Sequence, residues 1–234
     1  MTWSIVAREP ETGRFGIAIS TCAFAVGAIC PWVRAGTGAI STQAHTNPMH
    51  GALGIDLMAK GLPVTEALTL TLGHDEGRDI RQVHGVDARG NTFTHTGGAC
   101  VDWCGHTAGE DVSVAGNMLA GPAVVADTLS RYEASAGLEF GDRLLTALEA
   151  GEAAGGDKRG KQSAALIIQG REPYREADIR VDDHPEPIAE LRRLFTIYAR
   201  TRRAYMHTMG NTQDFAGIVD HDEREAFVRE QEKR

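Results

Sequence analysis

The chain has 234 residues, 42 % of them hydrophobic, enough to bury a sizeable core in one larger domain or two small ones. Its formal net charge of −8 argues against a general nucleic-acid binder, which needs a basic face, but leaves room for a local basic pocket. Arg8, Glu9, Glu11 and Arg14 exclude a secretory leader, and no apolar run approaches the ~18 residues of a membrane span, so a cytoplasmic location without membrane contact is expected.

From the N-terminus, WSIVARE and RFGIAIS flank the turn PETG and predict a hairpin whose runs Ile5-Val6-Ala7 and Ile17-Ala18-Ile19 are apolar enough to be covered on both faces. Residues 25–34 and 37–43 read as two more strands around Ala35-Gly36. A helix follows, with Thr46 and Asn47 as caps, Pro48 in the first turn and Leu53, Leu57 and Met58 as its apolar stripe. PVTEALTLTLGHD predicts a second helix buried through Val64, Leu68 and Leu72. IRQVHGVDARGNTFTHTG is a strand, a turn and a returning strand, and EDVSVAGNMLAG a short strand ending at Gly116-Asn117. Two amphipathic helices, GPAVVADTLSRYEAS and FGDRLLTALEAGEAAGG, precede strands in KQSAALIIQG and DIRVDDHP and a long helix in PIAELRRLFTIYARTRRAY. This order fits layers of antiparallel sheet between layers of helix, not a doubly wound parallel sheet. Residues 1–207 are expected to form one domain, and 208–234 a charged tail read as a solvated helix or frayed end. The apolar side of 187–206 suits either core packing or a homodimer face.

Several residues bear chemistry. Thr2 follows the initiator methionine directly and is small enough to permit its removal. Trimming would leave a hydroxyl and a free α-amine on one residue, a pairing that activates a weak nucleophile, although very many chains begin Met-Thr. GGDKRGKQSAAL crowds Asp157, Lys158, Arg159, Lys161, Gln162 and Ser163 around glycines that allow close backbone approach. It reads as a binding site or as a charged surface loop, and its spacing is not that of a phosphate-binding P-loop. Asn47 doubles as a helix cap, and Asn117 as a strand-end residue satisfying backbone groups. Cys22, Cys30, Cys100 and Cys104 read as reduced thiols, since a chain of this size needs no disulfide staples. The nine histidines suggest a metal hydrolase only distantly: His45 and His50 are not at the i, i+4 spacing of a helical metal pair, and nothing demands that His84, His95 and His106 converge. No metal and no cofactor is expected.

Five motifs in order, TWSIVA, GAISTQAHTNP, GNMLAGP, GGDKRGKQSAAL and DIRVDDHPEPIAELRRL, resemble the uncharacterised bacterial and archaeal family DUF1028 from Thr2 to about Leu194. The resemblance implies the α+β, four-layer αββα sandwich of the N-terminal-nucleophile (Ntn) hydrolases, with the nucleophile heading the first strand. It implies hydrolysis of a C–N amide bond in a small or peptide-like substrate, with Thr2 attacking after loss of Met1 and no longer propeptide required. Asn47 or Asn117 would stabilise the oxyanion, with Gln43 a further candidate, while Asp157 and Ser163 would hold the terminal amine. Arg159 and Gln162 would orient amine or substrate, Arg159 pairing Asp157 or a substrate carboxylate. One departure stands out: proteasome-type members tune the nucleophile with an early-strand lysine, but no lysine here precedes Lys60, and Arg34 cannot act as a base. Activation would rest on the α-amine. The alternative reading is a small-molecule-binding protein that keeps the fold without the chemistry.

Overall fold

The computed structural model describes residues 2–231. The hairpin predicted at the N-terminus is present as β1 (Thr2–Glu9) and β2 (Arg14–Thr21), joined by a turn in which Gly13 takes φ +73°. It sits at the centre of a six-stranded antiparallel sheet ordered β10-β9-β2-β1-β8-β7, with β7 at Gly105–Gly109, β8 at Val112–Asn117, β9 at Ser163–Gln169 and β10 at Arg175–Val181. A second antiparallel sheet, β3-β4-β5-β6, comprises Pro31–Arg34, Gly38–Ala44, Arg81–Asp87 and Thr92–Thr96. The chain is therefore of the α+β class.

Helices α1 (Met49–Ala59) and α2 (Val64–Gly73) pack on the smaller sheet. Helices α3 (Ala123–Ala134), α4 (Phe140–Ala153) and α5 (Pro187–Ile197) pack on the larger one. The other faces of the two sheets meet each other. The core divides accordingly. Trp3, Ile5, Ala18, Val114 and Leu166 face α3–α5, Ile40 and Val83 face Ile55, Leu68 and Leu72 of α1 and α2, and Val6, Phe15, Ile17, Ala39 and Val86 fill part of the space between the sheets. Beyond α5 the chain continues through a π-helical turn at Tyr198–Arg202 into α6 (Arg203–Met206). Residues after Thr208 fold back, with Tyr174 Oη donating to Gly210 O and Thr212 N to Glu172 Oε2, before α7 (His221–Gln231), which buries none of its residues.

Three expectations need correction. Residues 25–34 are not one strand: Ala25 adopts a left-handed φ of 54°, Val26–Ala28 form a 3-10 turn, and only Pro31–Arg34 pair with β4. The turn is fixed by Ser163 Oγ, which accepts from Val26 N, and by Asp182 O, which accepts from Ala25 N. The face α1 buries is His50, Gly51, Gly54, Ile55 and Met58, while Leu53 is half exposed. The helix is rolled so that its small residues meet bulky neighbours: a Cβ on Gly51 would lie 2.0 Å from Trp32 Cδ1, and one on Gly54 would lie 2.8 Å from Ile40 Cδ1. Finally, the short strand β7 was not expected, because GHTAG is bounded by two glycines and carries no apolar alternation.

Candidate functional site

A strand alternates its side chains between two faces, so β1 sends Trp3, Ile5 and Ala7 toward the helices and Thr2, Ser4 and Val6 toward the other sheet. The inter-sheet layer has two chemically distinct halves. Toward the hairpin turn it is apolar, with Val6, Phe15, Ile17, Ala39 and Val86. Toward the start of β1 it is polar, with Ser4, Ser41, Gln43, Gln82, His84 and Ser113 fully buried and Asn117 nearly so.

Those polar groups satisfy one another. Ser4 Oγ lies 2.7 Å from both Gln43 Oε1 and His84 Nε2, and His84 Nδ1 lies 2.9 Å from Ser113 Oγ. Gln43 Nε2 donates to Ala115 O and to Gln82 Oε1. Gln82 Nε2 in turn donates among Gly116 O (2.8 Å), Thr96 Oγ1 (2.9 Å) and Gly105 O (3.1 Å), which fixes its oxygen as the acceptor for both Gln43 and Asn117. With Ser4 donating to Gln43, His84 must carry its proton on Nε2 and accept from Ser113 at Nδ1. Burial drives the His84 imidazolium pKa down to about 3, so the ring is neutral at ordinary pH.

Thr2 stands at the polar end of this layer and is 5 % exposed. Its Oγ1 lies 3.3 Å from Thr21 Oγ1, and its strand partner is Asn117, whose Nδ2 donates to Gln82 Oε1 at 2.9 Å and reaches Thr2 O at 3.4 Å. Strand β1 lies between β2 and β8, and residues 156–162 bond beyond the ends of both. Gly156 O accepts from Ala120 N, Leu119 bridges to Asp157, and Lys158 N donates to Met118 O, all past the end of β8. Asp157 Oδ2 accepts from Cys22 N, and Gln162 N donates to Thr21 O, at the end of β2. The segment therefore passes across the start of β1, and its glycines at φ +49° (Gly156) and +108° (Gly160) make that path possible.

Thr2, Asn117, Gln43 and Asp157 thus gather at one end of the sandwich. Asp157 is buried, its Oδ1 accepting from Arg159 N, and Arg159 Nη2 reaches its Oδ2 at 3.3 Å. Ser163 Oγ donates to Ala23 O and accepts from Val26 N, so it holds the 23–26 turn. Gln162 Nε2 donates to Asp183 on the surface.

Asn47 belongs to a different cluster: its Oδ1 accepts from Met49 N, as a helix cap does, and its Nδ2 donates to Asp75. Asp75 also accepts from Arg81 Nε, His50 Nε2 and Gly77 N. Burial pushes its carboxyl pKa up, but the bonds from Arg81, Asn47 and His50 outweigh that and hold it well below the carboxylate range. Burial lowers the His50 pKa against the pull of Asp75.

Ser4 and Gln82 have no candidate role in the sequence, and His84 is offered there only as one of three histidines that could converge on a metal. Their one signal is polar residues at i, i+2 on strands otherwise buried on both faces. Among the described residues no group of three or more His, Cys, Asp or Glu is placed to hold a metal ion, and all four cysteines are free.

The crystal structure of a DUF1028 protein from Silicibacter pomeroyi superposes with a TM-score of 0.87 at 29 % identity, over 94 % of this chain and 96 % of that one. Anbu, the ancestral beta-subunit from Yersinia bercovieri, aligns with 85 % of this chain and 97 % of its own at 11 % identity, with a TM-score of 0.39 too low to carry an argument. No curated protein matches. The family model described as a family of unknown function, DUF1028, matches residues 2–191, and the chain belongs to that family.

Proposed function

We propose that the protein is an Ntn-type amide hydrolase with the four-layer αββα arrangement of that class, and that Thr2 is its nucleophile once Met1 is removed. The observation that carries this reading is the position of Thr2: first in the central strand β1, turned into the inter-sheet layer at its polar end, beside Asn117 and beneath residues 156–162.

The chemistry follows from the groups present. A free α-amine has a pKa of ~7.7–8.0, close to the optimum for a general base at neutral pH. It takes the proton of Thr2 Oγ1 as that oxygen bonds to the amide carbon of a small or peptide-like substrate. The negative charge that develops on the carbonyl oxygen is met by Asn117 Nδ2, whose contact to Thr2 O is long and readily redirected. Asp157, with one oxygen bonded to Cys22 N, orients the amine. The C–N bond then breaks, the leaving nitrogen takes the proton back from the ammonium, and an ester remains on Thr2. Water, deprotonated by the same amine, attacks the ester; Oγ1 recovers its proton and a carboxylic acid departs. Gln43 and Asn117 share Gln82 Oε1 as an acceptor, and Arg159 stands at the rim, with Gln162 tied to Asp183 and Ser163 holding the 23–26 turn.

A rival, a binding protein without chemistry, draws on the near-complete burial of Thr2. Untagged protein treated with p-nitrophenyl acetate separates the two. Intact mass should show the loss of one methionine, and peptide mapping a hydroxylamine-labile acetyl ester on Thr2. Thr2→Ala should abolish the ester and Thr2→Ser retain it. A retained Met1, or no ester on Thr2, refutes the hydrolase.

A further inference from the structure

The segment across the start of β1 carries Lys158, Arg159 and Lys161, and the three cations are not equivalent. Lys161 is neutralised, its Nζ 2.9 Å from Glu152 and 2.5 Å from Glu186. Lys158 instead donates Nζ to the backbone carbonyl of Asp102 at 2.6 Å, while the Asp102 carboxylate takes the Cys104 thiol at 3.8 Å; among the described residues no carboxylate pairs with Lys158. The Arg159 side chain is 42 % exposed and meets Asp157 through Nη2 alone, at 3.3 Å, on an oxygen that already accepts from Cys22 N. The rest of its fork of donors meets no side-chain carboxylate among the described residues.

The two cations flank the start of β1. Lys158 lies on the β8 side, because the neighbours of Asp102, Val101 and Trp103, accept from Met118 N and Leu119 N beyond the end of β8. Arg159 lies on the β2 side through Asp157 and Cys22. Both cations spring from adjacent residues of the segment that crosses the start of β1. A carboxylate held at this rim stands near the strand end that Thr2 heads.

We infer that Lys158 and Arg159 form a carboxylate subsite, and that the substrate of Thr2 is an amide bearing a carboxylate close to the scissile bond, as in an N-acyl amino acid. The assignment rests on the reading of Thr2 as nucleophile. It explains a lysine with no carboxylate partner among the described residues, beside a guanidinium whose single contact to Asp157 leaves most of its donors free for a second anion.

The test is calorimetric titration of N-benzoylglycine against N-benzoylglycinamide, with the wild-type chain and with Thr2→Ala to exclude turnover. The acid is expected to bind about tenfold or more tightly than the neutral amide, with the preference shrinking as salt is raised. The double variant Lys158→Gln/Arg159→Gln, checked as folded by its thermal melt, should lose the preference, and Arg159→Lys should keep part of it. Equal binding of the two ligands, no binding of the acid, or an undiminished preference in the double variant overturns the subsite. A preference for the acid without acetyl-ester formation on Thr2 would sink the hydrolase and leave the anion site standing. An ester on Thr2 without a preference for the acid would do the reverse.

Discussion

Gln82 is the junction of the polar half-layer, and replacing it by methionine, nearly equal in length but unable to hydrogen-bond there, tests whether that layer is structural glue. Gln43 Nε2 keeps Ala115 O as an alternative, and Thr96 Oγ1 keeps its contact with His106. Asn117 Nδ2 loses its 2.9 Å acceptor and keeps only the long contact to Thr2 O, and Gly116 O loses its 2.8 Å side-chain donor, both in the buried layer. Two buried groups left short of their best partner at about 1–3 kcal/mol each, partly offset by the apolar side chain, give a net loss of about 2–4 kcal/mol. For a chain of this size that lowers Tm by roughly 5–15 °C. Urea denaturation followed by circular dichroism reads the free energy, and a thermal melt reads Tm. A Gln82→Met protein within about 0.5 kcal/mol of wild type would show that water or a rearranged network replaces the carboxamide, and the account of a fully oriented layer would fall.

Other expectations follow from the same structure. His84 is held neutral with a pKa of about 3 against about 6.5 unfolded, so between those values the unfolded chain binds the extra proton. Its contribution is full above pH ~6.5 and declines as pH falls toward 3, and His84→Gln should flatten the pH dependence of urea-derived stability by up to about 1.4 kcal/mol per pH unit over that window. An unchanged slope would contradict the assignment. Asp75→Asn strips a nearly buried charge from Arg81 and should cost about 2–4 kcal/mol in chemical denaturation; a cost under 1 would mean that solvent screens the pair. Gly51→Ala drives a methyl into the Trp32 ring, so a loss of about 1–3 kcal/mol together with altered tryptophan fluorescence is expected, and an unperturbed spectrum would argue against this packing.

The elements legible in the sequence were those with a strong local signal. The PETG turn between two apolar runs yields β1 and β2, the Val64/Leu68/Leu72 period yields α2, and glycines bracket α4 and the approach to β9. Residues 25–34 were misread because Val26 and Ile29 are apolar enough for a strand, whereas a serine 137 residues away decides the turn. In helix α1 Met58 is buried and Leu57 packs on the core as the stripe predicts, but Leu53 is exposed, because Trp32 and Ile40 crowd the face at Gly51 and Gly54. For the site, Thr2 was legible from its place ahead of a strand and Asp157 from its glycine-rich surroundings. Ser4 and Gln82 are not legible there, and His84 stands out only as a possible metal ligand, since polar alternation on a strand ordinarily marks a solvent face and only the meeting of two sheets turns it inward. Asn47 illustrates the converse: its partner Asp75 lies 28 residues away with no periodic relation to it.

The division of the inter-sheet layer along the strands separates what a substitution can change. From Val6 to Thr2 is four residues of β1, about 14 Å at the rise of an extended strand, beyond the range at which substitutions usually couple. Changes among Val6, Phe15, Ile17, Ala39 and Val86 should therefore tune folding without touching reactivity, and their free energies should sum with those of changes at the far end. One strand thus presents two independently adjustable addresses, so the apolar end can be stabilised by repacking while the polar end at Thr2 is left as it is.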